Sequence, residues 1–451
     1  MELRILSPTA ILGYGFPLES FRRGLRDGPD AIAVDAGSTD PGPYYLGEGV
    51  PFVSAEAVER DLYHLLEASL DHGIPLLVGS AGGGGARPHV EWALERLRRA
   101  ASRLGRRVRV GLVYSDVDKD LLAGRLRNGL YSVRDPYSPL PELGEELVLS
   151  SSRIVAQVGV EPFIELLKRG VDVVLAGRSV DVAPFAALPW MKGFDRGLAV
   201  HMAKILECGA LAAEPGSGSD GMMGVIRSGE FEVYPLNPAR RATVTSVSEH
   251  ALYERRDPYR EYIPGGYADL TETTYEELGD GRVVVRGSRW ISSERRLVKL
   301  EGVRLVGHRY VVIAGVRDPG FLERLDELVN AALSHVSRLV GGDGYRVYVR
   351  VYGRDGVMGP REPTPRLGHE AGLVIEVVAA SRDRAKTVAG LVRSTLLHMG
   401  WEGRKTTAGN LAFPFSPSDL DGGRVYEWSI WHLVEERDPL EYARLEVLEA
   451  G

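Results

Sequence analysis

The sequence predicts an α/β fold, a mostly parallel sheet with helices on both faces, followed by a β-rich middle and a ferredoxin-like α+β C-terminal unit. Two observations predict it. Short β-branched runs alternate with amphipathic segments in the first half of the chain, as in βα units around a parallel sheet. From about residue 310 the order becomes β-α-β-β-α, which is most of a ferredoxin-like sandwich. We therefore expect three parts, at 1–220, 221–305 and 306–451.

In the first part, the predicted strands are short apolar runs at Leu3–Ser7, Ala31–Asp35, Ile74–Gly79, Val108–Tyr114 and Val171–Ala176. The amphipathic segments predict helices at Pro17–Arg26, Ser54–His72, Pro88–Leu104 and Glu161–Arg169. Ser54 is of a type that caps helix N-termini. Gly73, Gly105 and Gly170 follow three of these helices, where a left-handed residue commonly ends a helix.

A further helix at about Asp195–Cys208 leads to the Gly/Ser-rich stretch 214–220, a candidate domain edge or mobile loop. In the middle part we expect strands at Phe231–Tyr234 and Arg282–Arg286 and a helix near Val247–Glu254. The last part is predicted to contain strands and helices in the order Tyr310–Ala314, Leu322–Val340, Tyr345–Tyr352, Gly372–Val378 and Arg382–Met399.

The composition excludes several classes of protein. With 451 residues and 44% hydrophobic residues the chain can bury a large core, and no apolar run approaches the roughly 20 residues that span a bilayer. One cysteine, Cys208, excludes an intramolecular disulfide. The net charge of −7 and dispersed basic residues do not fit a nucleic-acid binder.

The chain begins in a strand-like run, without the pattern of a signal peptide, which predicts a cytoplasmic protein. One glutamine and four asparagines fit a thermophile's avoidance of labile amides.

Polar residues follow several predicted strands. In an open parallel sheet the ligand crevice lies outside the carboxyl ends of the strands, so these residues are expected to converge. The second strand ends at Asp35, and Ser38 and Thr39 follow it. We expect these three side chains to contribute to a ligand site.

The third predicted strand is followed by Gly82, Gly83, Gly84 and Gly85, shortly before Pro88 at a predicted helix start. Backbone N–H groups of such a loop and the helix N-terminus can bind a carboxylate or phosphate. The spacing matches neither a P-loop nor a dinucleotide motif. A tight structural turn is the alternative.

Arg178 and Asp181 come just after the fifth predicted strand. Arg178 can form a two-point contact with a substrate carboxylate or phosphate, and Asp181 can act as a base or orient Arg178. The alternative is a structural ion pair that caps the next turn.

Asp116 and Asp118 form an Asp-x-Asp pair whose oxygens suit magnesium or calcium. Alternatively, Asp116 caps the following helix, and the interpretation we favour includes no metal. His201 lies on a predicted helix with Lys204 and Cys208, where a partly buried helix with a satisfied histidine explains the pattern equally well.

Several runs resemble the acyclic terpene utilisation AtuA family. They are Leu175–Asp181, His201, Leu206–Ala210, Thr245–His250, Leu252–Glu254, Asp257-Pro258, Tyr262, Pro264, Asp269 and Val283–Gly287. They lie in order within roughly residues 1–330. The Gly-rich N-terminal loop and the block Ala408–Ser416 depart from the family pattern.

The resemblance implies an enzyme that acts on an acyl-CoA or another carboxylated small molecule, such as a lyase or hydratase of a branched 3-hydroxyacyl-CoA. Such a reaction needs an anion clamp, for which Arg178 and the glycine loop are candidates, and an acid or base, for which Asp181, Asp116 and His201 are candidates. The cofactor stays unknown. We expect a carboxylate or thioester as ligand, a homo-oligomer, and neither a nucleic acid nor a membrane as partner. The alternatives are a non-catalytic binding or assembly subunit and a divalent-metal-assisted hydrolase.

Overall fold

The structure is a computed structural model, and it describes residues 2–37, 41–134, 138–253, 255 and 257–451. The chain divides into two compact units. The first contains Met1–Arg304 and Trp428–Gly451, and the second contains Leu305–Glu427. Within the described residues, no helix is long and apolar enough to cross a membrane.

The strands are β1 (Leu3–Ser7), β2 (Ala31–Asp35), β3 (Leu76–Gly79), β4 (Val108–Tyr114), β5 (Ser132–Arg134), β6 (Arg153–Ala156), β7 (Val173–Ala176), β8 (Met222–Arg227), β9 (Glu230–Pro235), β10 (Arg260–Ile263), β11 (Gly266–Asp269), β12 (Thr274–Glu277), β13 (Val283–Arg286), β14 (Arg289–Ser292), β15 (Leu297–Val316), β16 (Tyr345–Tyr352), β17 (Ala371–Ala379), β18 (Asp419–Glu435) and β19 (Arg444–Ala450).

The helices are α1 (Leu18–Arg26), α2 (Tyr44–Glu48), α3 (Ala55–His72), α4 (Arg87–Leu104), α5 (Lys119–Arg127), α6 (Glu145–Ser150), α7 (Glu161–Lys168), α8 (Ala183–Met191), α9 (Arg196–Leu206), α10 (Val244–Ala251), α11 (Pro319–Glu323), α12 (Leu325–Val340) and α13 (Arg382–His398), with short 3₁₀ turns at Gly209–Ala212 and Gly359–Arg361.

The main sheet of the first unit has ten strands in the order β12-β13-β9-β8-β1-β2-β3-β7-β4-β19. Its centre, from β1 to β4, is parallel, and both flanks are antiparallel. The mixed α/β class is confirmed, but the predicted mostly parallel sheet is instead a mixed one. The reason is that hairpin-connected strands of the middle segment join it on one side and β19 joins it on the other.

Helices cover both faces of the parallel centre, as predicted. Along β2, Ile32 and Val34 pack in one hydrophobic core with residues of α3 and α4. Ala31 and Ala33 face the other core, with residues of α7, α8 and α9. Successive side chains of a strand point to opposite faces, so this central strand is apolar on both sides.

Local signals also fixed the helix ends. The Ser54 hydroxyl accepts a hydrogen bond from Ala57 N at 3.2 Å at the start of α3, and Gly73 ends that helix with a left-handed φ of 65°. Helix α10 begins three residues before the predicted start because Thr243 caps it by accepting from Ser246 N at 3.0 Å.

In the second unit, β16 and the end of β15 pair antiparallel with β17 on either side. Helices α12 and α13 pack on this sheet and form its hydrophobic core. The observed order β15-α12-β16-β17-α13 agrees with the predicted β-α-β-β-α series. The predicted helix 322–340 is two helices that meet at Arg324, whose backbone is not helical.

Candidate functional site

A cavity of about 230 Å³ lies at the carboxyl ends of β2 and β7, beside the end of α9. Its polar lining consists of Tyr14, Asp35, Arg178, Asp181, Glu207, Cys208 and Tyr253. Asp35 is the last residue of β2, and Arg178 follows β7 by two residues. The sheet therefore brings Asp35, Arg178 and Asp181 together, as the positions of the strand ends predict.

Asp35 is buried, with 4% of its surface exposed. Its Oδ2 accepts a hydrogen bond from Gly37 N at 3.2 Å, while its Oδ1 has no hydrogen-bond partner in the described part of the chain. Burial raises the pKa of Asp35 well above its usual value, and the negative charges of Asp181 and Glu207 add to this against the opposing charge of Arg178. Asp35 therefore holds its proton far more readily than an exposed aspartate.

Arg178 is 3% exposed, and its guanidinium is held by several acceptors. Nε donates to Glu301 Oε2 at 2.9 Å and Nη2 to Glu301 Oε1 at 3.4 Å. Nη1 donates to Ser80 Oγ at 3.0 Å and to Asp181 Oδ1 at 3.1 Å. Burial alone would lower the pKa of Arg178, but Glu301 and Asp181 raise it, so Arg178 stays cationic.

Glu301 lies behind Arg178 on β15, and it is 1% exposed. Lys299 Nζ is 3.0 Å from its Oε1. Burial opposes ionisation of Glu301, but Arg178 and Lys299 outweigh it and lower its pKa to about 2. Glu301 is therefore a permanent buried anion that fixes the orientation of Arg178.

The C-terminal end of α9 supplies a second buried pair. Lys204 Nζ is 2.5 Å from Glu207 Oε1, and Glu207 Oε2 has no hydrogen-bond partner among the described residues. Burial and the charge of Asp181 raise the pKa of Glu207 to about 8, against the opposing charge of Lys204. Burial would lower the pKa of Lys204, but Glu207 and Glu261 raise it. Glu207 therefore holds its proton more readily than an exposed glutamate.

A comparison with protein families matches residues 55–412 to the acyclic terpene utilisation family protein AtuA. The chain belongs to the AtuA family. Searches of curated proteins and of solved structures gave no match. The family match contains Arg178, Asp181, Glu207 and Glu301, whereas Asp35 lies before it.

The glycine loop of this AtuA chain does not line the cavity. The N–H groups of Gly83 and Gly85 already donate to the carbonyls of Ser80 and Ala81, at 3.0 and 3.2 Å. A Cβ at Gly83 would lie 2.3 Å from the Phe52 ring, and one at Gly85 would lie 2.2 Å from Arg178 N. These contacts support the alternative of a tight structural turn, and anion binding by Gly82–Gly85 stays a prediction.

Asp116 and Asp118 accept hydrogen bonds at the N-termini of two different helices. Asp116 Oδ2 accepts from Arg87 N at 2.8 Å, at the first residue of α4. Asp118 caps α5 by accepting from Leu121 N at 3.0 Å. The capping alternative named Asp116 for the following helix, but Asp118 has that contact. Among the described residues, no group of three or more His, Cys, Asp or Glu side chains is arranged to hold a metal ion.

His201 lies in the core of the AtuA fold and does not line the cavity. Its Nδ1 is 2.8 Å from Ser288 Oγ and its Nε2 is 3.3 Å from Tyr275 OH. Burial lowers the pKa of His201 to about 3, and the charge of Arg255 adds to this. Both ring nitrogens are therefore occupied in a neutral imidazole. Ser38 and Thr39, also predicted to bind the ligand, lie outside the described residues.

Glu207, Lys299, Glu301 and Tyr253 were not among the site residues predicted from the sequence. Glu301 is 123 residues from Arg178 in the chain, so no local spacing connects them. Two charged residues, Lys299 and Glu301, interrupt the mostly apolar stretch Leu297–Val303. Their presence there was the available signal, because charged side chains are rarely buried unless they are paired.

Proposed function

We propose that this AtuA-family chain is an enzyme that acts on an acyl-CoA or another carboxylated small molecule, and that the cavity at Asp35 and Asp181 is its active site. One observation carries the proposal. Asp35, whose pKa is raised by burial, faces the same cavity as Asp181, which is ion-paired with Arg178. A buried carboxyl group whose pKa is raised, beside a second carboxylate that is ion-paired with an arginine, is typical of acid/base catalysis.

We assign the acid to Asp35 and the base to Asp181. A buried carboxyl that stays neutral can donate a proton or a hydrogen bond to a substrate oxygen. The Asp181 side chain is 35% exposed, so it can reach a ligand and accept a proton. These roles are given to Asp35 and Asp181 rather than to His201 and Asp116, because only the former pair lines the cavity.

The charges support an anionic or carbonyl-bearing ligand. When Asp35 and Glu207 are protonated, four cations and three anions remain in the ion-pair network in and beside the cavity: Arg178, Lys204, Lys299, Arg255, Asp181, Glu301 and Glu261. The balance of one positive charge favours one carboxylate or a polarised thioester carbonyl. The neutral carboxyl groups add hydrogen-bond donors for such an oxygen.

The size of the cavity limits what enters it. Its volume of about 230 Å³ is below the roughly 300–1,000 Å³ of sites for drug-sized ligands. A small acid fits, or the acyl end of a larger thioester whose remainder lies outside.

Elimination of water from a 3-hydroxyacyl group illustrates the proposed chemistry. Asp181 takes the proton from C2, the bond between C3 and its hydroxyl breaks, and Asp35 gives its proton to the departing hydroxyl. The products are water and a C2=C3 double bond. Hydration is the reverse. In carbon–carbon cleavage Asp181 takes the proton from the 3-hydroxyl, the C2–C3 bond breaks as a carbonyl forms at C3, and Asp35 gives its proton to C2.

The test is incubation of the purified chain with a panel of branched 3-hydroxyacyl and 2-enoyl CoA esters in D₂O, followed by mass spectrometry. Deuterium at C2 reports proton transfer even when the overall equilibrium hides turnover. We expect deuterium to be incorporated at C2 of at least one ester by the parent protein, and no deuterium to be incorporated by the Asp181→Asn variant. Asp118→Asn, an exposed helix-cap change, is the matched control and should still incorporate deuterium.

A binding subunit without catalysis would give a different result. It would show ligand-induced thermal stabilisation, about 2.7 kcal/mol at 100 times the dissociation constant, with no deuterium incorporated from any ester. That outcome would replace the proposed function by the alternative.

A further inference from the structure

We propose that two copies of this chain form a symmetric homodimer by pairing strand β16 antiparallel with itself about Val349. This inference concerns a surface of the second unit and does not depend on the proposed function. It rests on the exposed edge of β16, on an apolar groove beside that edge, and on the order of side chains along the strand.

Strand β16 lies at the edge of its sheet. It pairs with β17 over its whole length, from Tyr345 opposite Ala379 to Tyr352 opposite Gly372. In the part of the chain that the structure describes, no strand pairs with its other side. Such an edge presents unpaired backbone N–H and C=O groups, which are a template for another strand.

An apolar groove of about 230 Å³ lies beside this edge, between β16 and the two helices of the unit. It is lined by Leu333, Val336, Ser337, Tyr345, Val347 and Val392. In strand addition the main-chain hydrogen bonds provide affinity, and pockets for alternate side chains provide specificity. The edge and the groove together supply both elements.

The side chains of β16 alternate between two faces. Arg346, Tyr348, Arg350 and Tyr352 are exposed on one face, with Tyr348 and Tyr352 at 43% and 47%. Val347, Val349 and Val351 point to the helix side and are less exposed. Arg350 is held on the sheet face by Glu376, to which its Nη1 donates at 2.7 Å.

This order makes the strand most complementary to itself when it pairs about Val349. Antiparallel pairing about Val349 puts Tyr348 opposite the partner's Arg350 and Arg346 opposite the partner's Tyr352. Cross-strand neighbours on one face interact, and an arginine over a tyrosine ring is attractive. On the other face Val347 meets the partner's Val351.

The other registers are less favourable. Moving the two-fold axis by two residues along β16 leaves two Arg–Tyr pairs in place of four. Pairing about Tyr348 would put Arg346 opposite the partner's Arg350, and pairing about Arg350 would put two copies of that arginine together. Like charges directly opposite one another are destabilising. The complementarity holds for two copies of one strand in a two-fold arrangement, in which the same patch is used twice. For this reason the occupant we propose is a second copy of this chain.

The experiment is light scattering and sedimentation equilibrium of the full chain over a range of concentrations. We expect twice the monomer mass of 49.3 kDa. Tyr348→Arg puts a second guanidinium opposite the partner's Arg350 and should shift the dimer to monomer. Val357→Arg is the matched control, since Val357 is 87% exposed and lies outside β16, and it should stay dimeric.

The register is tested by cysteine cross-linking in a Cys208→Ser background. In the proposed dimer only Val349 faces itself, with its Cα atoms about 4.5–5.5 Å apart, a separation that a disulfide bridges. Val349→Cys should cross-link on oxidation, and Tyr345→Cys should not. A monomer at every concentration, a dimer that persists in Tyr348→Arg, or a failure of Val349→Cys to cross-link would overturn the proposal.

Discussion

Arg178 and Glu301 form a buried two-point ion pair, in which Nε donates to Oε2 at 2.9 Å and Nη2 donates to Oε1 at 3.4 Å. The third guanidinium nitrogen, Nη1, donates to Asp181 Oδ1 at 3.1 Å, so all three are directed at protein carboxylates. We infer that Arg178 acts mainly as a fixed positive charge beside Asp35 and Asp181, rather than as a two-point clamp for a substrate.

The first prediction concerns this pair. Glu301→Gln removes one partner and leaves buried Arg178 and half-buried Lys299 with less compensating charge. Breaking a buried pair in this way costs about 3–5 kcal/mol, so the free energy of unfolding in urea should fall by about 3 kcal/mol or more. Glu165→Gln, which removes an exposed pair with Arg169, should cost less than about 1 kcal/mol. Equal small losses would show that Arg178 does not depend on Glu301.

The second prediction concerns Asp35. Because its folded pKa is raised above the unfolded value of about 3.9, the folded state binds more protons between those two pKa values. Its contribution to stability is complete below the unfolded pKa and is lost as pH rises through the folded pKa. Asp35→Asn replaces the carboxyl group by an amide that does not ionise, so the variant does not lose this stability as pH rises. From pH 4 to pH 8 the free energy of unfolding of the variant, measured in urea, should rise relative to that of the parent protein. A difference between the two that stays constant over this range would contradict a raised pKa for Asp35.

The third prediction concerns acid sensitivity. The pKa of His201 is lowered to about 3, so below its unfolded value of about 6.5 only the unfolded state takes up the proton. Stability from this group is complete above that value and is lost as pH falls towards 3, by about 1.4 kcal/mol per pH unit. His201→Gln should show a shallower fall of unfolding free energy between pH 6 and pH 4. The same change at exposed His335 should leave the slope unaltered.

The fourth prediction compares two glycines with the same backbone angle. Gly85 and Gly73 both have a φ of 65°, which a side chain disfavours by roughly 1–2 kcal/mol. A Cβ at Gly85 would lie 2.2 Å from Arg178 N, whereas one at Gly73 meets nothing within 4 Å. Gly85→Ala should therefore lower the melting temperature clearly more than Gly73→Ala. If the two variants lower the melting temperature by similar amounts, the glycine loop can move away from Arg178 at little cost in free energy.

Much of the fold was predictable because its signals are local. The apolar runs of β2 and β4, the Ser54 cap and the glycine after α3 depend on residues close together in the chain. For the same reason, the strand ends predicted that Asp35, Arg178 and Asp181 would meet. Parallel strands direct their carboxyl ends to one edge.

The sequence by itself determined the α/β class, the position of most central elements and the edge of the sheet at which polar side chains gather. Tertiary structure alone decided that β19 returns to pair with β4, and that Glu301 reaches Arg178. It also decided that His201 is enclosed by Ser288 and Tyr275, far from it in the chain. The physical reason is that periodicity, caps and turns are set by neighbouring residues, whereas burial and the partner of a charge depend on segments that only folding brings together.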